Sequence, residues 1–362
     1  MMYKKNYHEA VERNKRFLKR QLTDGILFKT ILPYETIENR DRTWTTRECL
    51  AISDKEWVLE DCHRKARVYQ DIDDDTIPEG YPTVHFGESV YSYLLGGDVQ
   101  FVGSEYYTCS GAKPLICSEA DLEKLTEYKN NDRVKIFEDI ARFFARETNG
   151  SFWLKYFIVI DALNLAVELL GTTEAYYMLN DDERLIRRIM EFGVDFNVWF
   201  YKLQKELFAV NNKTALEDSE FYEFYDKTWY SVDAYDICSP DTYQKLGFEY
   251  QQELINKVGG GMLHTHGTGL LGLLPYISEL KNLSVLQIGR DLYSGEELAI
   301  DHLPKIREMT GDIPLRTSIS VEEFMDWTKK RILPGGVEYF CTIRDVDEAN
   351  RLAQIAKEYK AP

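Results

Sequence analysis

The sequence predicts an α/β fold, a (β/α)8 TIM barrel with an N-terminal helical extension, and three observations carry that prediction. From about residue 228 onward, short β-branched or aromatic runs alternate with amphipathic helical patterns roughly every 25 to 35 residues, the rhythm of parallel strands joined by right-handed crossovers. The phosphate-cradling GxGxxG turn of dinucleotide-binding folds follows no early strand, and Gly259-Gly260-Gly261 precedes a strand rather than following one. The 362 residues, 44% of them hydrophobic, suit a barrel with additions.

The elements can be justified in order. Residues 7–22 carry apolar positions at helical spacing, and 46–70 repeat the pattern around Trp57, Val58 and Val68, so 1–80 reads as a helical cap on a body formed by 81–362. The boundary falls in the acidic, proline-punctuated stretch 71–82. Its spacing lacks the glycine and terminal glutamate of a calcium loop, so it reads as a solvated turn. Ser118 and Asp121 suggest a capping box, 131–147 a strongly amphipathic helix, 151–160 an aromatic strand, and 181–207 a long helix started by Asn180. Strands are then expected near 228–232, 262, 283–288, 313–315 and 337–342. Helices are expected from Pro240, from Leu270, and over 295–309, 321–332 and 346–359.

Charge narrows the function classes. A formal net charge of −17 argues against nucleic acid and against anionic membrane surfaces, both of which need clustered Lys and Arg. No run approaches the length of a membrane-spanning helix, and the N-terminus lacks the apolar core of a signal peptide, so a soluble cytoplasmic protein is expected. The six cysteines include no close CxxC pair, which suits reduced thiols, and any zinc site must be assembled from distant segments.

The most informative local feature is Leu263-His264-Thr265-His266-Gly267. A strand points side chains two apart to one face, so both rings share a side at a strand's C-terminal end, where ligands of α/β proteins bind. The same strand ends hold Asp233, Asp236, Arg290, Asp291, Arg316 and Cys341. Zinc takes imidazole nitrogen and thiolate sulfur, and a catalytic site needs three protein ligands and one open position, so His264, His266 and Cys341 would suffice. The plainer reading has the histidines bonding carbonyls and Cys341 packing as a small hydrophobe. Asp233 and Asp236 are candidate catalytic bases or, more simply, residues that orient loops and cap a helix. The aromatic stretch 221–230, with Trp229 and Tyr230, would stack on a planar ligand or pack its loop onto the barrel. His85, within Pro82-Thr83-Val84-His85-Phe86-Gly87, reads locally as structural.

Taken together the chain resembles the uroporphyrinogen decarboxylase superfamily, which includes the corrinoid-dependent methyltransferases. The pieces are Tyr81-Pro82-Thr83-Val84-His85-Phe86-Gly87, Ile160-Asp161-Ala162-Leu163-Asn164, Asp236-Ile237-Cys238-Ser239-Pro240, Leu263-His264-Thr265-His266-Gly267 and Gly335-Gly336-Val337-Glu338-Tyr339-Phe340-Cys341, in that order from about residue 82 to the end. The resemblance implies a single (β/α)8 barrel. In the methyltransferase branch a His-x-Cys pair and a later Cys hold zinc, which implies a metal set of His264, His266 and Cys341, with imidazole at His266 replacing a thiolate. That exchange leaves a bound zinc more positive and a thiolate on it less nucleophilic. Implied with it are Asp233 and Asp236 as catalytic-site carboxylates, and His85, Asp161, Trp229, Tyr230 and Arg290 as substrate-binding residues. The implied reaction moves a methyl group between a corrinoid protein, as partner, and a thiol or other small-molecule acceptor. Two alternatives stand beside it: decarboxylation of a uroporphyrinogen-like tetrapyrrole, whose arginine-rich N-terminal motif is not matched here, and a non-catalytic corrinoid- or substrate-binding barrel.

Overall fold

A computed structural model describes residues 3–32, 55–82, 89–103, 108–267, 269–290 and 298–362. Its centre is a seven-stranded, all-parallel sheet. Eleven strands occur among the described residues: β1 (Ile26–Ile31), β2 (Glu79–Gly80), β3 (Val99–Gly103), β4 (Thr108–Ala112), β5 (Trp153–Leu154), β6 (Val159–Ile160), β7 (Trp229–Ser231), β8 (Met262–Thr265), β9 (Val285–Ile288), β10 (Leu315–Ser318) and β11 (Val337–Thr342). The sheet runs β1-β11-β10-β9-β8-β7-β6, β2 pairs with β5, and β3 with β4. Helices separate successive sheet strands from β6 onward, as right-handed crossovers require.

The two edges of the sheet approach one another through the β2/β5 pair. Lys155 N donates to the Gly80 carbonyl at 3.0 Å and Trp153 N to that of Pro78 at 3.2 Å, while Asp75 N donates to the Phe28 carbonyl of β1 at 2.9 Å. The arrangement is TIM-barrel-like, with no continuous strand ladder among the described residues across either the β1/β2 or the β5/β6 gap.

The β1/β2 gap is where two sequence expectations fail. The first 80 residues are not all helical, because Ile26–Ile31 forms β1 and pairs in parallel with β11. The acidic stretch is not a solvated turn either, since Asp74 and Asp75 are only 1% and 2% exposed. A strand without a second neighbour leaves alternate backbone N–H groups needing acceptors. Asp75 accepts from Phe28 N at 2.9 Å, and Asp74 from Thr30 N and Thr30 Oγ1, both at 2.8 Å. Each acid is neutralised in place, Asp74 by Lys4 at 2.8 Å and Asp75 by Arg13 at 2.6 Å. The carboxylates stand in for a missing strand.

Strand register orders the interior. Ser231, His264, Gln287, Arg316 and Glu338 are successive partners across β7 to β11 and form one row. Period-two alternation sends their neighbours Tyr230, Leu263, Leu286, Leu315 and Tyr339 to the helical layer, where each is fully buried. The 34-residue helix Glu183–Leu216 runs well beyond the 181–207 expected from periodicity. Its last turns carry Asn211 and Asn212, which favour helix ends in isolation. Here Asn211 Nδ2 donates to the Phe152 carbonyl, and Asn212 both accepts from Leu154 N at 2.9 Å and donates to the Leu154 carbonyl at 3.0 Å. Tertiary hydrogen bonds override propensity there. A full capping box is formed by Ser320 and Glu323. At Ser118 the hydroxyl bonds the Asp121 carboxylate at 2.8 Å and caps no backbone N–H. Among the described residues no helix is long and apolar enough to cross a membrane.

Candidate metal centre and the cavity beneath it

His264 lies near the end of β8, and His266 follows one residue past the strand. The neighbouring backbone is held close: a Cβ on Gly289 would meet the Thr265 carbonyl oxygen at 2.3 Å, so only glycine lets β9 approach here. The imidazoles face one another with Nε2 atoms 2.9 Å apart and rings nearly perpendicular at 82°. Asp233, the first residue of the Asp233–Asp236 turn of helix after β7, brings Oδ1 to 3.4 Å from His266 Nε2. Among the described residues, Asp233, His264 and His266 form the group of nitrogen, sulfur or oxygen ligands whose donor atoms all lie within 4.8 Å of one another.

This donor set fits a divalent ion. Bonds of about 2.0–2.2 Å in a tetrahedron put ligand atoms roughly 3.3–3.6 Å apart, which the Asp233–His266 spacing meets and the closer imidazole pair reaches by a small parting of the rings. Asp233 Oδ1 is buried without a well-aligned hydrogen bond. Burial alone would push its carboxyl up, but hydrogen bonds from His266 and Ser231 and the pull of both imidazoles hold it below the usual carboxylate range. Two imidazoles and one carboxylate are a known catalytic zinc set, leaving a position for a ligand.

Cys341 is not brought to this group. Glu338 and Phe340 line the interior, so the alternation of β11 turns Cys341 outward, fully buried, toward the helical layer. Burial, with the charges of Glu348, Glu322 and Glu323, pushes its thiol up to about 12. The thiolate a metal requires is disfavoured there. Tyr230 is also outward, its hydroxyl bonding the Gly260 carbonyl at 2.6 Å, whereas Trp229 faces the interior. Arg290 forks onto Glu323 at 2.7 and 2.9 Å and bonds the Leu298 and Ser318 carbonyls, tying β9 to the helix that follows β10. Asp161 caps the helix Ala162–Leu170 through Leu163 N and Asn164 N, and burial, then the charges of Asp233 and Asp236, keep its carboxyl well above the ordinary value. Asp236 is 9% exposed in the same acidic neighbourhood. His85 and Asp291 lie outside the described residues.

Below the mouth lies a cavity of about 550 Å³ whose lining includes His264, Gln287, Arg316, Phe340, Lys29, Glu79, Lys155 and Trp229. Lys29 pairs with Glu338 at 2.7 Å, Arg316 Nε lies 3.1 Å from Glu338, and Lys155 is 3.5 Å from Glu79 and in contact with the Tyr81 hydroxyl. Three cations thus face two carboxylates, a local excess of positive charge in an acidic chain. Burial pulls the Lys155 ammonium down to about 8, against Glu79 and with help from Arg316 and Lys29. Burial would raise the Glu338 carboxyl, but Lys29 and Arg316 outweigh it and hold it low. Sequence reading noted only Arg316 of these. The signal for the rest was a lone charge inside a strand-like run, as in Ile26–Ile31 and Val337–Thr342, which a barrel buries at its centre.

No protein-family model and no curated protein matches the chain. Among solved structures, a methyltransferase from Methanosarcina mazei superposes on 96% of this chain and 98% of its own, with a TM-score of 0.57 and 10% sequence identity. At that identity the likeness is one of fold, and it spans nearly the whole length of both chains.

Proposed function

We propose that the protein is a zinc-dependent methyltransferase of the uroporphyrinogen decarboxylase type, cytoplasmic, moving a methyl group between a corrinoid carried by a partner protein and a small acceptor. The observation that carries this reading is the convergence of Asp233, His264 and His266 at the strand C-termini over an open cavity. The full-length fold likeness to a methyltransferase supports it. The metal set differs from the one the sequence suggested, with Asp233 in place of Cys341.

Bound zinc would act as a Lewis acid that lowers the pKa of a thiol or hydroxyl acceptor at its open position. The protein's own groups do the rest. Strand β8 fixes His264, and Gly289 permits the backbone approach that sets His266. Asp233 stays ionised and so serves as an anionic ligand or as acceptor for an imidazole N–H. Trp229 and Phe340 wall the cavity in which the acceptor is oriented. With no thiolate in the set, the site favours an acceptor that profits from stronger Lewis acidity.

Metal analysis of protein purified without chelator, combined with a methyl-transfer assay using methylcobalamin and a panel of thiols and alcohols, tests the reading. One zinc per chain and methyl transfer that is lost in His266→Ala are expected. Metal-free protein with no transfer to any acceptor overturns it.

A further inference from the structure

Lys155, just past β5, and Arg316, on β10, line the same cavity, and neither belongs to the candidate metal group. Lys155 Nζ sits 3.4 Å from the centre of the Trp229 ring and the Arg316 guanidinium 4.6 Å from it, so the two cationic heads are separated by no more than the sum of those distances. The Arg316 guanidinium lies over the Phe340 ring at 3.8 Å as well as the Trp229 ring, which leaves the edge of its fork to be accounted for. Its Nε lies beside Glu338, Nη1 approaches the Met262 thioether at 3.7 Å, and its Nη atoms donate to no oxygen among the described residues. Gln287 Oε1, in register with Arg316 on β9, is buried without a hydrogen bond. A guanidinium fork with open donors lining a cavity is a receptor for a planar anion, above all a carboxylate.

Lys155 has different surroundings. It is 5% exposed, stands among two other cations, and has an acid–base pair beside it in Glu79 and the Tyr81 hydroxyl. Desolvation and neighbouring cations are what turn a lysine into a nucleophilic amine. Its ammonium titrates near 8, which leaves a usable neutral fraction under mildly alkaline conditions.

We propose that this cavity binds a 2-oxo acid, with Arg316 clamping the carboxylate and Lys155 forming an imine with the adjacent carbonyl. The neutral amine attacks the carbonyl carbon, making the C–N bond while the π pair moves to oxygen; the nitrogen gives one proton to Glu79 as the oxygen takes one from the Tyr81 hydroxyl, and the Glu79 proton then restores Tyr81. Tyr81 next protonates the carbinolamine hydroxyl, the nitrogen lone pair closes the C=N bond as water leaves, and the iminium nitrogen returns its remaining proton through Glu79 to Tyr81. Amine and carbonyl give imine and water, with no oxidant or reductant consumed. A cavity of about 550 Å³ holds an oxo acid with a substantial side chain. The proposal does not depend on the metal reading, since none of its groups is a metal ligand.

The experiment is reductive trapping on the intact chain. Protein is incubated with pyruvate or with acetaldehyde, reduced with cyanoborohydride, and the modified lysines are located by peptide mass spectrometry. Lys155 should be labelled by pyruvate about tenfold faster than the average exposed lysine, and Lys155→Arg should abolish that label. Arg316→Gln should slow pyruvate labelling of Lys155 about tenfold while acetaldehyde still labels it, which also shows that the variant's cavity is intact. Label spread over exposed lysines with Lys155 no faster overturns the imine. Equal pyruvate labelling in wild type and Arg316→Gln overturns the assignment to an oxo acid.

Discussion

Two acidic groups in this molecule, one at the β1 edge and one after β7, are opposite in kind. Asp74 and Asp75, at the β1 edge, each accept backbone N–H bonds and each meet a cation, so their lone pairs are spent inside the protein. Asp233 Oδ1 lies 3.4 Å from His266 Nε2, which is itself 2.9 Å from His264 Nε2, and that oxygen lacks a well-aligned hydrogen bond. The first pattern closes a fold; the second brings together donor atoms that could hold a metal ion. The accounting of lone pairs sets the acids that close the fold apart from Asp233.

The contrast is sharpest if each cluster is broken in turn. Asp74→Ala would strand the fully buried Lys4 ammonium and the Thr30 N–H, and should cost about 3–5 kcal/mol in denaturant unfolding while leaving zinc stoichiometry of the folded fraction unchanged. If instead metal content falls and stability holds, the roles of the two clusters have been exchanged.

Lys155 supplies the next test, through pH. Its folded pKa of about 8 lies below the ordinary 10.5, so between those values the unfolded chain binds a proton that the native chain does not. Native stability must then rise with pH across that window, because the penalty for burying this lysine, fully present at lower pH, is relieved as the unfolded form also loses its proton. The stability difference between wild type and Lys155→Met should shift in favour of wild type by up to about 3 kcal/mol between about pH 7 and 10. A flat difference would mean that Glu79 keeps the lysine charged.

Breaking the mouth should move affinity and spare the fold. His266→Ala is expected to weaken zinc binding by about 100-fold or more in chelator competition, with unfolding stability of the metal-free protein changed by less than about 1 kcal/mol. The smallest effect belongs to Cys341→Ala, in which zinc affinity should stay within about threefold of wild type, the change appearing only as lost packing in the helical layer. A large loss of zinc in that variant would restore the thiol to the ligand set and remove Asp233 from it.

Much of this was legible. The strands at Val337–Thr342 and near Met262, and the helices Val321–Lys330 and Val346–Glu358, fall where periodicity put them, because an apolar repeat reports directly on which face is buried. The His264/His266 pair was legible for the same reason, as two residues on one strand share a face. What failed was everything that needed a partner from far along the chain. Ile26–Ile31 is too short to be told from a buried piece of helix without seeing β11 beside it. The acids at 74 and 75 read as solvent-facing until β1 supplies N–H groups for them.

Cys341 and Asp233 mark the division most clearly. Sequence determined that β11 is a strand with a cysteine near its end and that a strand-to-helix turn carries Asp233. It marked the inward parity of β11 only through the single charge of Glu338, since a strand buried on both faces is otherwise apolar on both. Tertiary structure decided that: Glu338 and Phe340 turn in, Cys341 turns out, and the carboxylate beside the histidines comes from the turn of helix after the neighbouring strand β7. Local pattern fixes which residues are buried. Which of them meet depends on register across strands far apart in the chain, and that is set only when the sheet assembles.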